Sequence, residues 1–277
     1  MDISWLRARC WPNRAHNQIM TKRILITIEY DGGPFVGWQR QDNGDSVQAA
    51  IEEAAAAFIG TPTAVTGAGR TDSGVHATGQ VAHLDVPDKF DANRVMHALN
   101  AHLGEVPVTI HHAREVPAAL HARFSATGRR YLYRILPERQ KPALDLGRVW
   151  HHRHPLDGER MHKAAQYLVG RHDFTSFRAS QCQADSALRT LDKLTVEQVG
   201  DEIHIRAEAR SFLHHQVRNI TGTLALVGTG KWDAMDVQHA LAACDRAAAG
   251  PTAPPWGLYL VGVDYADLGQ GAALHGK

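Results

Sequence analysis

The sequence is short of cysteine, lysine and net charge, and it has no long apolar run. Three cysteines, Cys10, Cys182 and Cys244, stand far apart in 277 residues. They make neither a disulfide framework nor a CxxC metal pair, and they predict a reducing, cytoplasmic setting. No apolar run approaches the ~18 residues that would suggest a membrane span. The opening MDISWLRARCWPNRAHNQIM lacks the apolar stretch of a secretory signal. Lys and Arg total 30 against 29 Asp and Glu. That balance excludes a strongly basic nucleic-acid tail and an acidic disordered chain, so any polyanion binding must come from local clustering. Only 7 of the 30 basic residues are lysine. The arginine excess suits phosphate and stacked bases, or it reflects a GC-rich coding sequence.

Apolar residues make up 44% of the chain, enough for a real core. Periodic structure begins at Thr21-Lys22-Arg23-Ile24, so residues 1–20 are expected to be a disordered extension or a start assigned too far upstream. Residues 22–30 alternate as a strand. Asp45 is expected to cap a helix, with Gln48 as its capping-box partner. Val47, Ile51, Ala54 and Phe58 form the apolar stripe of that helix, and Gly60 ends it. Strands follow at 63–67, 79–86 and 106–115, with a helix at 91–103. The second half repeats the order, with strands at 129–136, 188–199, 202–210 and 258–265 and helices at 157–169, 214–228 and 233–244. Two βαββαβ-like runs predict an α+β protein of two ferredoxin-like (RRM-like) halves with mostly antiparallel sheets. The boundary is expected near Pro117–Arg123. It gives an N-terminal domain at 21–118, a C-terminal domain at 119–266 and a flexible tail at 267–277.

Acids are missing in three places. Between Glu53 and Asp85 the only carboxylate is Asp72. None occurs from Val116 to Pro137, which carries Arg123, Arg129, Arg130 and Arg134, and none from Ala209 to Trp232, which carries Arg210, His214, His215, Arg218 and Lys231. If these stretches converge, they form a cationic groove around one carboxylate. Phe124, Tyr131 and Tyr133 lie among the arginines, as in a binder of single-stranded or looped RNA. On a strand Tyr131 and Tyr133 share one face and Arg130 and Arg134 the other. A core-packing tyrosine pair fits the same pattern.

The segment GAGRTDSGVHA (67–77) is the most informative. Its glycines allow tight turns, but no GK[ST] follows and the spacing is not that of a dinucleotide loop. Arg70 and Asp72 would point the same way in an extended stretch. A nearby guanidinium opposes the protonation that burial promotes, and so favours a nucleophilic carboxylate. A plain Thr-Asp-Ser-Gly turn, with Asp72 capping the backbone, remains open. An aspartic peptidase would need a second Asp-Ser/Thr-Gly, which is absent. His111-His112, the run His151-His152-Arg153-His154, and His214-His215 suggest a metal enzyme. Adjacent histidines on a strand would face opposite ways, however, and there is no HExxH.

This loop closely resembles the catalytic loop of the tRNA pseudouridine synthase A family. YDGGPFVGWQRQ (30–41), HARFSATGRRYLYR (121–134), HDFTSFRASQC (172–182), FLHHQVRNITG (212–222) and GLYLVGVDY (257–265) resemble that family's blocks in its order. The likeness spans roughly 21–266; Ser73 stands where many members have Ala. The resemblance implies isomerisation of uridine to pseudouridine at nucleotides 38, 39 and 40 of the tRNA anticodon stem-loop. It also implies a homodimer, and an active-site cleft between the two halves. Carried over by motif, Asp72 is the nucleophile, Tyr131 stacks on the uracil, Arg218 pairs with Asp72, Leu258 packs against the base, and Arg70 holds the RNA and assists base flipping. Arg123, Phe124, Arg129 and Arg130 are expected to contact RNA. Redox state and phosphate count do not change, so neither cofactor nor metal is expected. A non-catalytic RNA-binding protein of similar fold is the alternative.

Overall fold

The computed structural model describes residues 20–182 and 184–266. The expected N-terminal extension (all but Met20) and the expected C-terminal tail lie outside these. The elements run β1 (Thr21–Tyr30), α1 (Val47–Ile59), β2 (Thr66–Gly67), β3 (His76–Pro87), α2 (Ala92–Leu103) and β4 (Val108–Val116). They continue with β5 (Ala126–Leu136), β6 (Trp150–His151), α3 (Gly158–Ala165), β7 (Gly170–Asp173), β8 (Leu188–Val199), β9 (Glu202–Ala209), α4 (Gln216–Gly228), α5 (Ala234–Ala242) and β10 (Leu258–Tyr265). All ten strands join one mixed, mostly antiparallel sheet in the order β4-β1-β3-β10-β5-β9-β8-β7, with β2 on β3 and β6 on β5. The protein is therefore α+β. None of its described helices is long and apolar enough to cross a membrane.

Strand patterning follows the period-two rule. In β1, Ile24, Ile26 and Ile28 are fully buried, and each such side chain contributes roughly 1.5–3 kcal/mol of transfer free energy. In β9, Ile203, Ile205, Ala207 and Ala209 are buried while the residues between them are partly exposed. Two apolar cores result. One gathers β1, β3 and β4 with Val47, Ile51 and Ala54 of α1 and Val95, Leu99 and Leu103 of α2. The other gathers β5, β8 and β9 with Met161 of α3, Ile220 and Leu224 of α4 and Val237 of α5.

Three local expectations need correction. The cap of α1 is Ser46, extended at φ −128°, whose side chain accepts from the Ala49 N–H. Asp45 belongs to the preceding loop, where its carbonyl accepts from the Val36 N–H. Gln48 closes no capping box; it donates to Glu52 and to the Val65 carbonyl, tying the helix to the segment before β2. The strand expected at 63–67 shrinks to Thr66–Gly67, and the helix expected over 157–169 stops at Ala165, followed by a 3-10 turn at Gln166–Leu168.

The two cores meet where β3 and β10 pair in parallel, through Tyr259↔His76 and Leu260↔Ala77. A Cβ on Gly79 would stand 2.4 Å from the Val261 carbonyl oxygen, so only glycine permits β10 to lie this close to β3. Tyr131 packs against both cores at this seam.

Candidate active site

Asp72 lies in the short connection between β2 and β3, and its neighbours are fixed from below. The buried Tyr30 hydroxyl and the Thr71 Oγ1 share a 2.8 Å hydrogen bond. The Trp38 N–H donates to the Thr71 carbonyl, and Gly37 forms an isolated antiparallel bridge with Asp72. Gly37 has φ +120°, and a Cβ there would meet the Thr71 carbonyl oxygen at 2.7 Å. The glycine-rich loop after β1 is thus the support of the Asp72 loop. The same loop accepts from the Ser73 hydroxyl at the Phe35 carbonyl, while Gln80 donates to the Gly69 carbonyl and the Val75 N–H closes a turn on the Asp72 carbonyl.

The carboxylate meets three cationic or imidazole groups from the other core. Arg218 donates from Nη1 to Oδ2 at 2.8 Å. Its Nε–H donates to the Ala253 carbonyl, and the Ala253 N–H donates back to the Arg218 carbonyl. The guanidinium side chain is only 13% exposed, against 24% for Asp72. His214 Nε2 lies 3.3 Å from Oδ1 and His215 Nε2 3.3 Å from Oδ2. Burial pushes the His215 imidazole toward its neutral form; Asp72 opposes that, while Arg218 and His214 reinforce it. All three groups sit at the entry to α4.

The histidine pair is the part of the site that sequence reasoning missed. Residues 214–215, expected to open the helix at 214–228, form a turn just before α4, with His215 in the left-handed region at φ 61°. The alternation that would send the two rings apart does not apply. The usable signal was two adjacent ring nitrogens at a helix start inside an acid-free stretch.

The acid-poor stretches do converge, and Arg129 joins them. Its guanidinium donates to the carbonyls of Ala68, Arg123 and Arg210, one from each stretch. Arg129 is thereby spent on backbone rather than left free for a ligand. Tyr131 stands on β5 with its ring edge-on to Phe212 at 5.1 Å. Burial raises its phenol well above the ordinary tyrosine value, and the charges of Tyr30 and Asp72 raise it further. Leu258 is buried opposite Tyr133 in the β5–β10 register.

The remaining expected residues are spread more widely. Arg70 is exposed, and Arg218, not Arg70, supplies the guanidinium on Asp72. Arg123 and Phe124 are exposed side by side, guanidinium to ring at 5.7 Å. Arg130 alternates to the face opposite Tyr131 and pairs with Asp264 at 3.2 Å. Arg134, on that same face, pairs with Glu202 at 2.6 Å.

Comparison with known proteins gives a consistent result. A family model described as tRNA pseudouridine synthase matches residues 26–125 and 164–266. A tRNA pseudouridine synthase A of Rhodospirillum rubrum is 59% identical over 243 residues, covering 88% of this chain and 87% of its own. That of Rhodospirillum centenum is 58% identical, covering 86% and 97%. That of Caulobacter vibrioides is 55% identical, covering 88% and 99%.

Proposed function

Because the chain belongs to the tRNA pseudouridine synthase A family and has that family's isomerase activity, we propose that it acts on uridines 38, 39 and 40 of the tRNA anticodon stem-loop, with Asp72 as nucleophile. One observation carries the assignment. The lone carboxylate of three converging acid-poor stretches is held by Arg218 at the seam between two cores, and it is still partly open to solvent.

The fold supports a cleft there. β1, β2, β3 and β4 stand in the order β4-β1-β3-β2, and β5, β8, β9 and β10 in the order β10-β5-β9-β8. Each half therefore carries the 4-1-3-2 antiparallel order of a ferredoxin-like unit. We place the domain boundary between β4 and β5. Asp72 comes from the first half, and Arg218, His214 and Tyr131 come from the second.

The chemistry breaks the N1–C1′ bond, turns the uracil and rejoins it through C5. The C5 proton leaves and N1 gains one, so no redox partner is required. A stacked base must first leave its helix, at a cost of a few kcal/mol. Stacking on Tyr131, worth ~1–3 kcal/mol, and phosphate contacts from exposed arginines such as Arg70 and Arg123 offset that cost. The Tyr131 phenol is neutral at pH 7, as an ordinary tyrosine is, which suits a stacking platform. Leu258, buried at the start of β10, backs the base. Arg218 holds the carboxylate in one orientation and stabilises its charge before attack. Family likeness further implies a homodimer and a cytoplasmic location.

Asp72→Ala should abolish tritium release from tRNA carrying 5-tritiated uridine while tRNA binding persists. Substantial residual turnover would show that another group is the nucleophile. Wild-type protein that bound tRNA without releasing tritium would favour the non-catalytic alternative.

A further inference from the structure

His214 and His215 have no assigned step in the isomerisation, yet both rings converge on its nucleophile. Their centroids are 4.0 Å apart. One Asp72 oxygen and one nitrogen from each imidazole lie within 4.8 Å of one another. We propose that Asp72, His214 and His215 form a capture site for a divalent transition-metal ion of the Zn2+ class, and that capture blocks the enzyme by occupying its nucleophile.

Small rotations of the two rings bring this donor set to ligating distances. With Zn–N and Zn–O bonds near 2.0–2.1 Å, tetrahedral donors stand about 3.3 Å apart. One donor atom from each residue lies within 4.8 Å of the other two, with His214 Nε2 3.3 Å from Oδ1 and His215 Nε2 3.3 Å from Oδ2. That is long for a hydrogen bond, so an ion entering between the groups displaces little. Two imidazoles and a carboxylate suit Zn2+, Co2+, Ni2+ and Cu2+, whereas Mg2+ prefers oxygen ligands and keeps its waters. Arg218 and His215 both approach Oδ2 while His214 approaches Oδ1; capture through Oδ1 leaves Arg218 on Oδ2 as an outer-shell partner and requires the His215 ring to turn toward Oδ1. The His214 side chain is 41% exposed, which opens the fourth coordination position to water. Blockade rests on the nucleophile assignment for Asp72; capture does not.

The test is a titration of purified full-length protein with Co2+, read by the visible absorption of a tetrahedral site, followed by displacement with Zn2+. One equivalent should bind. Affinity should fall at least about tenfold in His214→Ala and in His215→Asn, a residue that tolerates positive φ. It should be unchanged in His152→Ala, which probes the separate histidine run. Because His214 is exposed, its variant keeps the comparison available should His215→Asn fold poorly. In parallel, one equivalent of Zn2+ should stop tritium release by wild-type protein, a chelator should restore it, and excess Mg2+ should leave it unchanged. Absence of saturable Co2+ binding, or binding unaltered in His214→Ala, overturns the capture site. Capture with full tritium release overturns the blockade. Capture by a protein that never releases tritium leaves the site standing and sinks the role given to Asp72.

Discussion

At the scale of single residues, Asp72 was legible and its surroundings were only partly so. A lone acid between Glu53 and Asp85 stands out from composition, and the loop around it is specific enough to assign a family. Arg218 is 146 residues away, and only the family motif links the two. The histidine pair was misjudged because its geometry depends on one positive φ at His215, which no periodicity reveals. Arg218 itself makes a sharp case. Its Nε and Nη1 donate at once to the Ala253 carbonyl and to Asp72, a fork that lysine lacks. Arg218→Lys should therefore keep charge and fold but lose roughly 10²-fold in kcat, since a misplaced reactive group of this kind costs about that much. Single-turnover kinetics beside a circular dichroism spectrum check this; near-normal kcat would show that charge alone suffices.

At the scale of elements, long strands and helices were legible because burial follows the sequence period, as in β9, where every second residue from Ile203 to Ala209 is buried. Short pieces were not. β2 exists for two residues because β3 offers it a partner, a tertiary cause with no local signal. The cap of α1 moved by one residue because the Asp45 carbonyl is engaged with Val36 while Ser46 takes the extended conformation that a cap needs. Ser46→Ala should cost about 1 kcal/mol in urea unfolding, and Asp45→Ala much less; the reverse ranking would restore the sequence-based choice. β3 also carries a built-in acid sensitivity. Its His83 ring is buried and accepts a hydrogen bond from the Ala122 N–H at Nδ1. Burial, with help from Arg23 and His121 and against Asp85, lowers its pKa from 6.5 to about 4. The folded protein then binds fewer protons than the unfolded chain between those values, so this contribution is full above about 6.5 and is lost as pH falls toward 4. His83→Asn keeps an acceptor near Nδ1 and removes the titration. Its stability should be lower at neutral pH but should fall less steeply over that window than the wild type. Parallel slopes in pH-dependent denaturation would assign the acid sensitivity elsewhere.

At the scale of the whole molecule, the charge balance hides an uneven distribution. The sequence revealed the three acid-poor stretches but not which cations within them stay free. That depends on pairing across the sheet. Arg129 is consumed by three carbonyls, Arg130 by Asp264 and Arg134 by Glu202, whereas Arg70 is exposed, with no carboxylate within ion-pair distance among the described residues. A phosphate contact from a free cation releases a counterion and steepens the salt dependence of binding, and a cation already paired with a carboxylate contributes little to that slope. tRNA affinity should therefore fall steeply with salt. Arg70→Ala should weaken binding and reduce the logarithmic slope by roughly one, while Arg130→Ala should leave it nearly unchanged. Equal slopes for the two variants would mean that the sheet pairing of Arg130 opens when tRNA docks, and a flat titration of the wild-type protein would remove the cationic groove from the account of substrate binding.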